Sequence, residues 1–163
     1  MDHITSSGFS DRLRRPTLAM SSNSYSETSM PGIQLTIPGH ADQALNRRLA
    51  AELTALACAV LRKKPERTMV MIRNIPHEQW FIHAKSLADH GKNSFRLEVT
   101  ITEDTNTKDE KTLYQKRAFD LLSELIGNLH PHSNVHIIDC KASSYGYGGL
   151  TQEHRYHVQD AAA

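Results

Sequence analysis

Two arginines, a tryptophan and a proline carry most of the chemistry this sequence offers. Arg73 and Arg96 each present a planar guanidinium fork that can grip a carboxylate through two parallel hydrogen bonds. Each can equally form an ion pair in solvent or at a subunit interface. Trp80, the only tryptophan in the chain, can wall a small apolar pocket or staple a hairpin to a neighbouring subunit. Pro31 follows Met30. With the preceding residues attached, its nitrogen is a tertiary amide without a basic lone pair. A start at Met30, followed by loss of that methionine, would leave Pro31 as the first residue. The ten histidines include His130, His132, His136, His154 and His157. Their spacing matches no established metal motif, and Cys58 and Cys140 are not paired with them, so no metal is expected. The glycines of Tyr145–Gly149 do not follow a strand and open a helix, so a phosphate loop has no support.

The composition frames these residues in one domain. The chain has 163 residues and 39% hydrophobic content, and 19 basic against 18 acidic side chains leave a net charge of +1. That length fits a single domain with room for a tail. The near-neutral balance argues against a nucleic-acid or membrane surface as partner. No apolar run approaches the roughly 18 residues a membrane span needs. Cys58 and Cys140 lie in apolar segments, as reduced core thiols do. Residues 1–29 contain eight serines and no apolar period, and they read as a disordered leader or a mis-assigned start.

The elements that must position the reactive residues recur twice. Ile33, Leu35 and Ile37 alternate with Gln34 and Thr36, which predicts a strand. Asp42 then caps a helix with its stripe at Leu45, Leu49, Leu53, Leu56 and Val60, and Pro65 is expected to end it. Thr68–Ile72, uninterrupted by charge, reads as a buried second strand. The second pass begins with Ser94–Thr102, in which Phe95, Leu97, Val99 and Ile101 share a face. Thr107 and Glu110 form a capping box for a helix striped by Leu113, Ala118, Leu122, Leu125 and Leu129, widened by Phe119 and Ile126 and stopped at His130-Pro131. Asn134–Asp139 is the matching strand. Gln34–Ile37 aligns with Glu98–Ile101 at an offset of 64, and Met69–Met71 with Val135–Ile137 at an offset of 66.

Two βαβ units in tandem predict an α/β fold: a four-stranded mixed sheet, each half internally parallel, with two helices on one face. Returns at Ile75–Leu87 and Ala142–Leu150 each place an aromatic beside a short loop or hairpin. The domain is expected over 30–158, in halves of about 31–90 and 91–158, with 159–163 as a tail. The face opposite the helices is read as apolar around Leu35, Val70 and Val99, and therefore as covered by a partner subunit. Arg96 is polar in its strand's alternation, which places it on a sheet face near Pro31.

A strand opened by Met-Pro, a βαβ unit, an aromatic-containing return and a closing Gly-x-Gly-Gly resemble the tautomerase superfamily. The likeness is to its longer members, in which two copies of the short 4-oxalocrotonate tautomerase subunit are fused. Ile101–Lys111 and Tyr145–Tyr156 look especially like those chains. The resemblance implies a cofactor-free tautomerase or isomerase acting on a small 2-oxo acid or enol. Its general base would be the secondary amine of an amino-terminal Pro31, and Arg96, Trp80, Arg73, His136 and Tyr145 would be the residues offered to the substrate. Hydratase, dehalogenase or decarboxylase chemistry belongs to the same superfamily, and a non-catalytic oligomeric ligand-binding or scaffold protein on this fold is the other reading. The resemblance further implies a homotrimer in the cytoplasm, without nucleic-acid or membrane partners. Two arginines of the type members are missing, their positions falling near His40-Ala41 and at Val70; His136 stands at the second position in the duplicate half. His83-Ala84 replaces the Gly-Gly of the first half.

Overall fold

The computed structural model describes residues 30–162; the leader assigned to 1–29 lies outside them. Strand β1 (Gly32–Pro38) buries Ile33, Leu35 and Ile37, all at most 3% exposed, and turns Gln34 outward. Helix α1 (Gln43–Leu61) starts at Asp42, whose carboxylate accepts from the amides of Ala44 and Leu45 at 2.9 and 3.1 Å. It buries Leu49, Leu53, Ala57, Val60 and Leu61. The helix ends on Arg62, which takes the left-handed conformation (φ 55°), and Pro65 opens a separate 3₁₀ turn. The stop is therefore a C-cap three residues ahead of the proline.

Strand β2 (Met69–Ile75) runs parallel to β1, with Ile33 beside Val70 and Leu35 beside Ile72. The sheet order is β2-β1-β5-β6, so β2 is an edge and not a buried strand. Its outward residues Met69 and Met71 are 44% and 47% exposed. A hairpin follows, β3 (Phe81–Ile82) and β4 (Lys85–Ser86), then the one-turn helix α2 (Leu87–His90) with a Ser86/Asp89 capping box.

The second half repeats the plan. Strand β5 (Arg96–Thr102) lies antiparallel to β1, pairing Ile33 with Val99 and Leu35 with Leu97. Helix α3 (Lys108–Ile126) carries the expected Thr107/Glu110 capping box. Its buried stripe runs through Tyr114, Ala118 and Leu122, whereas Leu113 is 42% exposed. It stops at Gly127, ahead of His130-Pro131. Strand β6 (Asn134–Cys140) is parallel to β5, and the hairpin β7 (Gly146–Tyr147) and β8 (Leu150–Thr151) leads into α4 (Gln152–Ala162), which runs past residue 158.

One core fills the space between the sheet and the paired helices α1 and α3. Leu35 and Val99 lie in it, 1% and 0% exposed, and Val70 packs against it. This reverses the expectation for the open face. By strand alternation that face carries Gln34, Thr36, Arg73, Arg96, Glu98 and His136, with Met69, Met71 and Ile138 among them.

The two hairpins superimpose in their bonding. The carbonyl of Trp80 accepts from Leu87 N–H at 2.9 Å, and that of Tyr145 from Gln152 N–H at 2.8 Å, at a constant offset of 65. Both turns use two left-handed residues: Gly148 and Gly149 in the second half, His83 (φ 52°) and Ala84 (φ 58°) in the first. A left-handed L-residue costs roughly 1–2 kcal/mol, against which the extra freedom of an unfolded glycine is smaller. Ala84→Gly is therefore expected to raise stability by about 0.5–1 kcal/mol in urea unfolding; a lower unfolding midpoint would show that the turn is not strained.

Candidate active site

Pro31 sits at the start of β1, buried, with its carbonyl accepting from Met69 N–H at 3.2 Å. The next residue, Gly32, lies beside Met69 of β2 and Thr100 of β5. Above it comes the second-half aromatic. A Cβ at Gly32 would stand 3.2 Å from the Tyr145 hydroxyl, a tight contact, so the bare glycine gives the phenol room on the strand one residue from Pro31. That hydroxyl is buried and has no hydrogen-bond partner of good geometry. Burial and the neighbouring Cys140 raise its pKa, and the nearby Gly32 amide offsets part of the rise. Tyr145 therefore stays a neutral phenol, a donor facing the first residues of β1.

The exit of α1 meets the β5–α3 loop, which continues the strand whose Thr100 flanks Gly32. Lys63 is 3% exposed there. Its Nζ donates to Thr105 Oγ1 at 3.1 Å, and that hydroxyl donates to the Thr102 carbonyl at 2.6 Å. Asn106 Nδ2 donates to the Leu61 carbonyl at 3.1 Å, and Arg62 pairs with Glu110 at 3.1 Å, so the two halves are latched together. Sequence reading missed Lys63 because nothing in Lys63-Lys64-Pro65 separates the buried lysine from its neighbour.

A different set of residues gathers at the other end of the sheet. A cavity of about 780 Å³ is lined by Arg73, Arg96, Trp80, Thr36, His132 and Asn134, together with the β3 hairpin. Arg96 pairs with Glu98 at 2.7 Å. Arg96 faces Thr36 and Thr100 faces Gly32, so the cavity and the Pro31 end are four residues apart along β1, roughly 14 Å at about 3.4 Å per residue. The structure thus brings Arg73, Arg96 and Trp80 together, and separately Pro31 and Tyr145. It does not join the two groups within one chain. His136 lies between them on the open face, opposite Glu98. Cys58 and Cys140 are free and half-buried. Among the described residues, no helix is long and apolar enough to cross a membrane.

The architecture has clear counterparts among solved structures. A crystal structure of native fused 4-OT matches with a TM-score of 0.67 over 76% of this chain and 97% of that one, at 18% identity. A structure of Pt0534 inactivated by 2-oxo-3-pentynoate matches with 0.68 over 76% and 98%, at 11% identity. A macrophage migration inhibitory factor-like protein from Entamoeba histolytica follows with 0.58 over 75% and 98%, at 14% identity. No family model and no curated protein matches the sequence. The chain has the fused 4-OT fold: two tandem βαβ units on one mixed sheet, as the sequence resemblance implied.

The buried amine of Lys63 gives this fold a pH signature. Loss of water contact, then Arg62, pulls its pKa down from 10.5 to about 8, with Glu110 opposing. Between those values the unfolded chain binds more protons than the folded one, so stability rises with pH across that window. Below about 8 the lysine is protonated in both states and the penalty for burying its charge is complete. Lys63→Met should be more stable than the parent at neutral pH, with the gap closing as pH passes 10.5. Parallel stability–pH profiles for the two proteins in urea unfolding would contradict this.

Proposed function

We propose that the chain is a cofactor-free tautomerase whose general base is Pro31, once the residues up to Met30 are removed. The observation that carries this reading is the unpartnered Tyr145 phenol set on Gly32, one residue from Pro31. A free α-amino group has a pKa of about 8, and burial lowers it toward neutrality. The neutral secondary amine then takes a proton from the enol oxygen, or from carbon beside the carbonyl, and returns it at the other end of the conjugated system. Negative charge gathers on the substrate oxygen during transfer, and we assign its stabilisation to the Tyr145 O–H. The fused 4-OT fold supports the chemistry. One protein of that fold is inactivated by 2-oxo-3-pentynoate, an alkynyl 2-oxo acid, which supports a small 2-oxo acid or enol as substrate class.

We also propose that the chain self-associates through the Pro31 end of the open sheet face, where Met69, Met71 and Ile138 are each at least 40% exposed. Solved fused 4-OT proteins of this fold include an asymmetric trimer. Light scattering at micromolar concentration is expected to give a trimer, and a clean monomer would remove this part of the reading.

Activity tests the base. A chain beginning at Pro31 is expected to ketonise a simple enol such as phenylenolpyruvate. The full chain should be about 10²–10⁴-fold slower, because an amide nitrogen accepts no proton. Tyr145→Phe in the short chain should lower kcat by up to about 10²-fold with a smaller change in KM. Equal rates in the long and short chains would place the base elsewhere, and no rate in either across a panel of enols would remove the catalytic reading.

A further inference from the structure

The cavity at the far end of the sheet is the pseudo-symmetric counterpart of the Pro31 end. The offset of 64 that aligns β1 with β5 places Phe95 where Pro31 stands and Arg96 where Gly32 stands. The matching hairpin bonds place Trp80 where Tyr145 stands. The same scaffold therefore carries two unlike ends. Phe95 is 0% exposed and offers no base, so proton transfer on the Pro31 pattern is absent there. The second end offers cations instead.

Arg73 and Arg96 enter the cavity from two strands, and among the described residues Glu98 is the only carboxylate in its wall. Glu98 holds Arg96 at 2.7 Å, which leaves the fork in place but does not use all its donors. Arg73 has no ion pair among the described residues. Beside the cations stand Trp80 and Phe81, and Phe81 is 62% exposed, an unusual place for a phenylalanine. Asn134 donates to the His132 carbonyl at 3.2 Å, but its buried Oδ1 has no partner. The adjoining turn holds His83 and Ala84 in left-handed backbone where the other hairpin uses glycine, and His83 lines the cavity. Two guanidinium groups beside an aromatic wall suit an anion with a flat apolar body.

We propose that this cavity is a ligand site of its own, which binds a small planar carboxylate between Arg73, Arg96 and Trp80 without turning it over. It does not depend on Pro31 acting as a base. The carboxylate would take guanidinium donors from both strands, and the ring or conjugated body would lie against Trp80.

Trp80 is the sole indole and lines the cavity, so its fluorescence reports on this site alone. The full chain should be titrated with benzoate, exciting at the red edge of the indole band. A saturable change is expected, with benzamide, the neutral counterpart, giving none. Arg73→Ala and Arg96→Ala should each weaken binding about tenfold or more, and Arg96→Lys should fall between, since it keeps charge and loses the fork. Both arginines are exposed, and an unchanged melting temperature would confirm intact folds. Pro31→Ala should bind benzoate as the parent does. The proposal fails if benzoate gives no saturable signal, if either alanine variant binds like the parent, or if inorganic phosphate displaces benzoate as effectively as a second aromatic carboxylate does. Loss of binding in Pro31→Ala would also overturn it, by making the cavity part of the Pro31 site; the enol assay on the short chain reads that site separately.

Discussion

The antiparallel seam between β1 and β5 is the constraint on which the rest of the molecule depends. Among the described residues it is the only sheet pairing that joins the two βαβ halves. Its register sets Ile33 beside Val99 and Leu35 beside Leu97, all at most 1% exposed, on the side covered by α1 and α3. Each such side chain contributes about 1.5–3 kcal/mol by leaving water. A slip of one residue would turn one strand's pair, Ile33 and Leu35 or Leu97 and Val99, onto the open face, so the register is strongly specified. The same register fixes chemistry at both ends: Gly32 lies against Thr100, and Thr36 against Arg96. The latch of Lys63, Thr105, Asn106 and Leu61 then ties the helix of one half to the loop of the other.

Duplication gives two equivalent ends, and substitution has made them different. At one, glycine admits a phenol to the first residues of the strand. At the other, arginine at the corresponding position shares a cavity wall with a tryptophan and is steadied by Glu98. The hairpins diverge in the same way. Gly148-Gly149 makes a relaxed turn, whereas His83-Ala84 keeps the shape under strain and puts an imidazole at the cavity wall. The backbone scaffold is held constant while polar groups are exchanged over it, which is how one fold supports unlike sites.

Much of this architecture was legible in the sequence because it rests on local rules. Alternation marked Ile33–Ile37 and Phe95–Ile101, and Asp42 and the Thr107/Glu110 box marked both helix starts. The misreadings have specific causes. Val70 and Met71 belong to an uncharged run, but lack of charge does not distinguish an edge strand clothed in methionine from a central one. Leu113 and Tyr114 are adjacent, and only packing decides that the tyrosine is the residue turned inward. Prolines mark both helix stops in the sequence only approximately, because Arg62 and Gly127 end the helices through backbone conformation. Alternation separates two faces without saying which the helices cover, so it does not place Leu35 and Val99 in the core. Alternation turns Arg96 outward, but its distance along the sheet from Pro31 follows from the antiparallel seam, which is a tertiary fact.

The central claim is that Pro31 acts through a free secondary amine, and it depends on the end of the mature chain. The most direct measurement is the intact mass of the protein isolated from the cells that make it, joined to identification of its first residue. The account predicts a chain beginning at Pro31. A mature protein that retains residues before Pro31 leaves that nitrogen an amide and contradicts the claim.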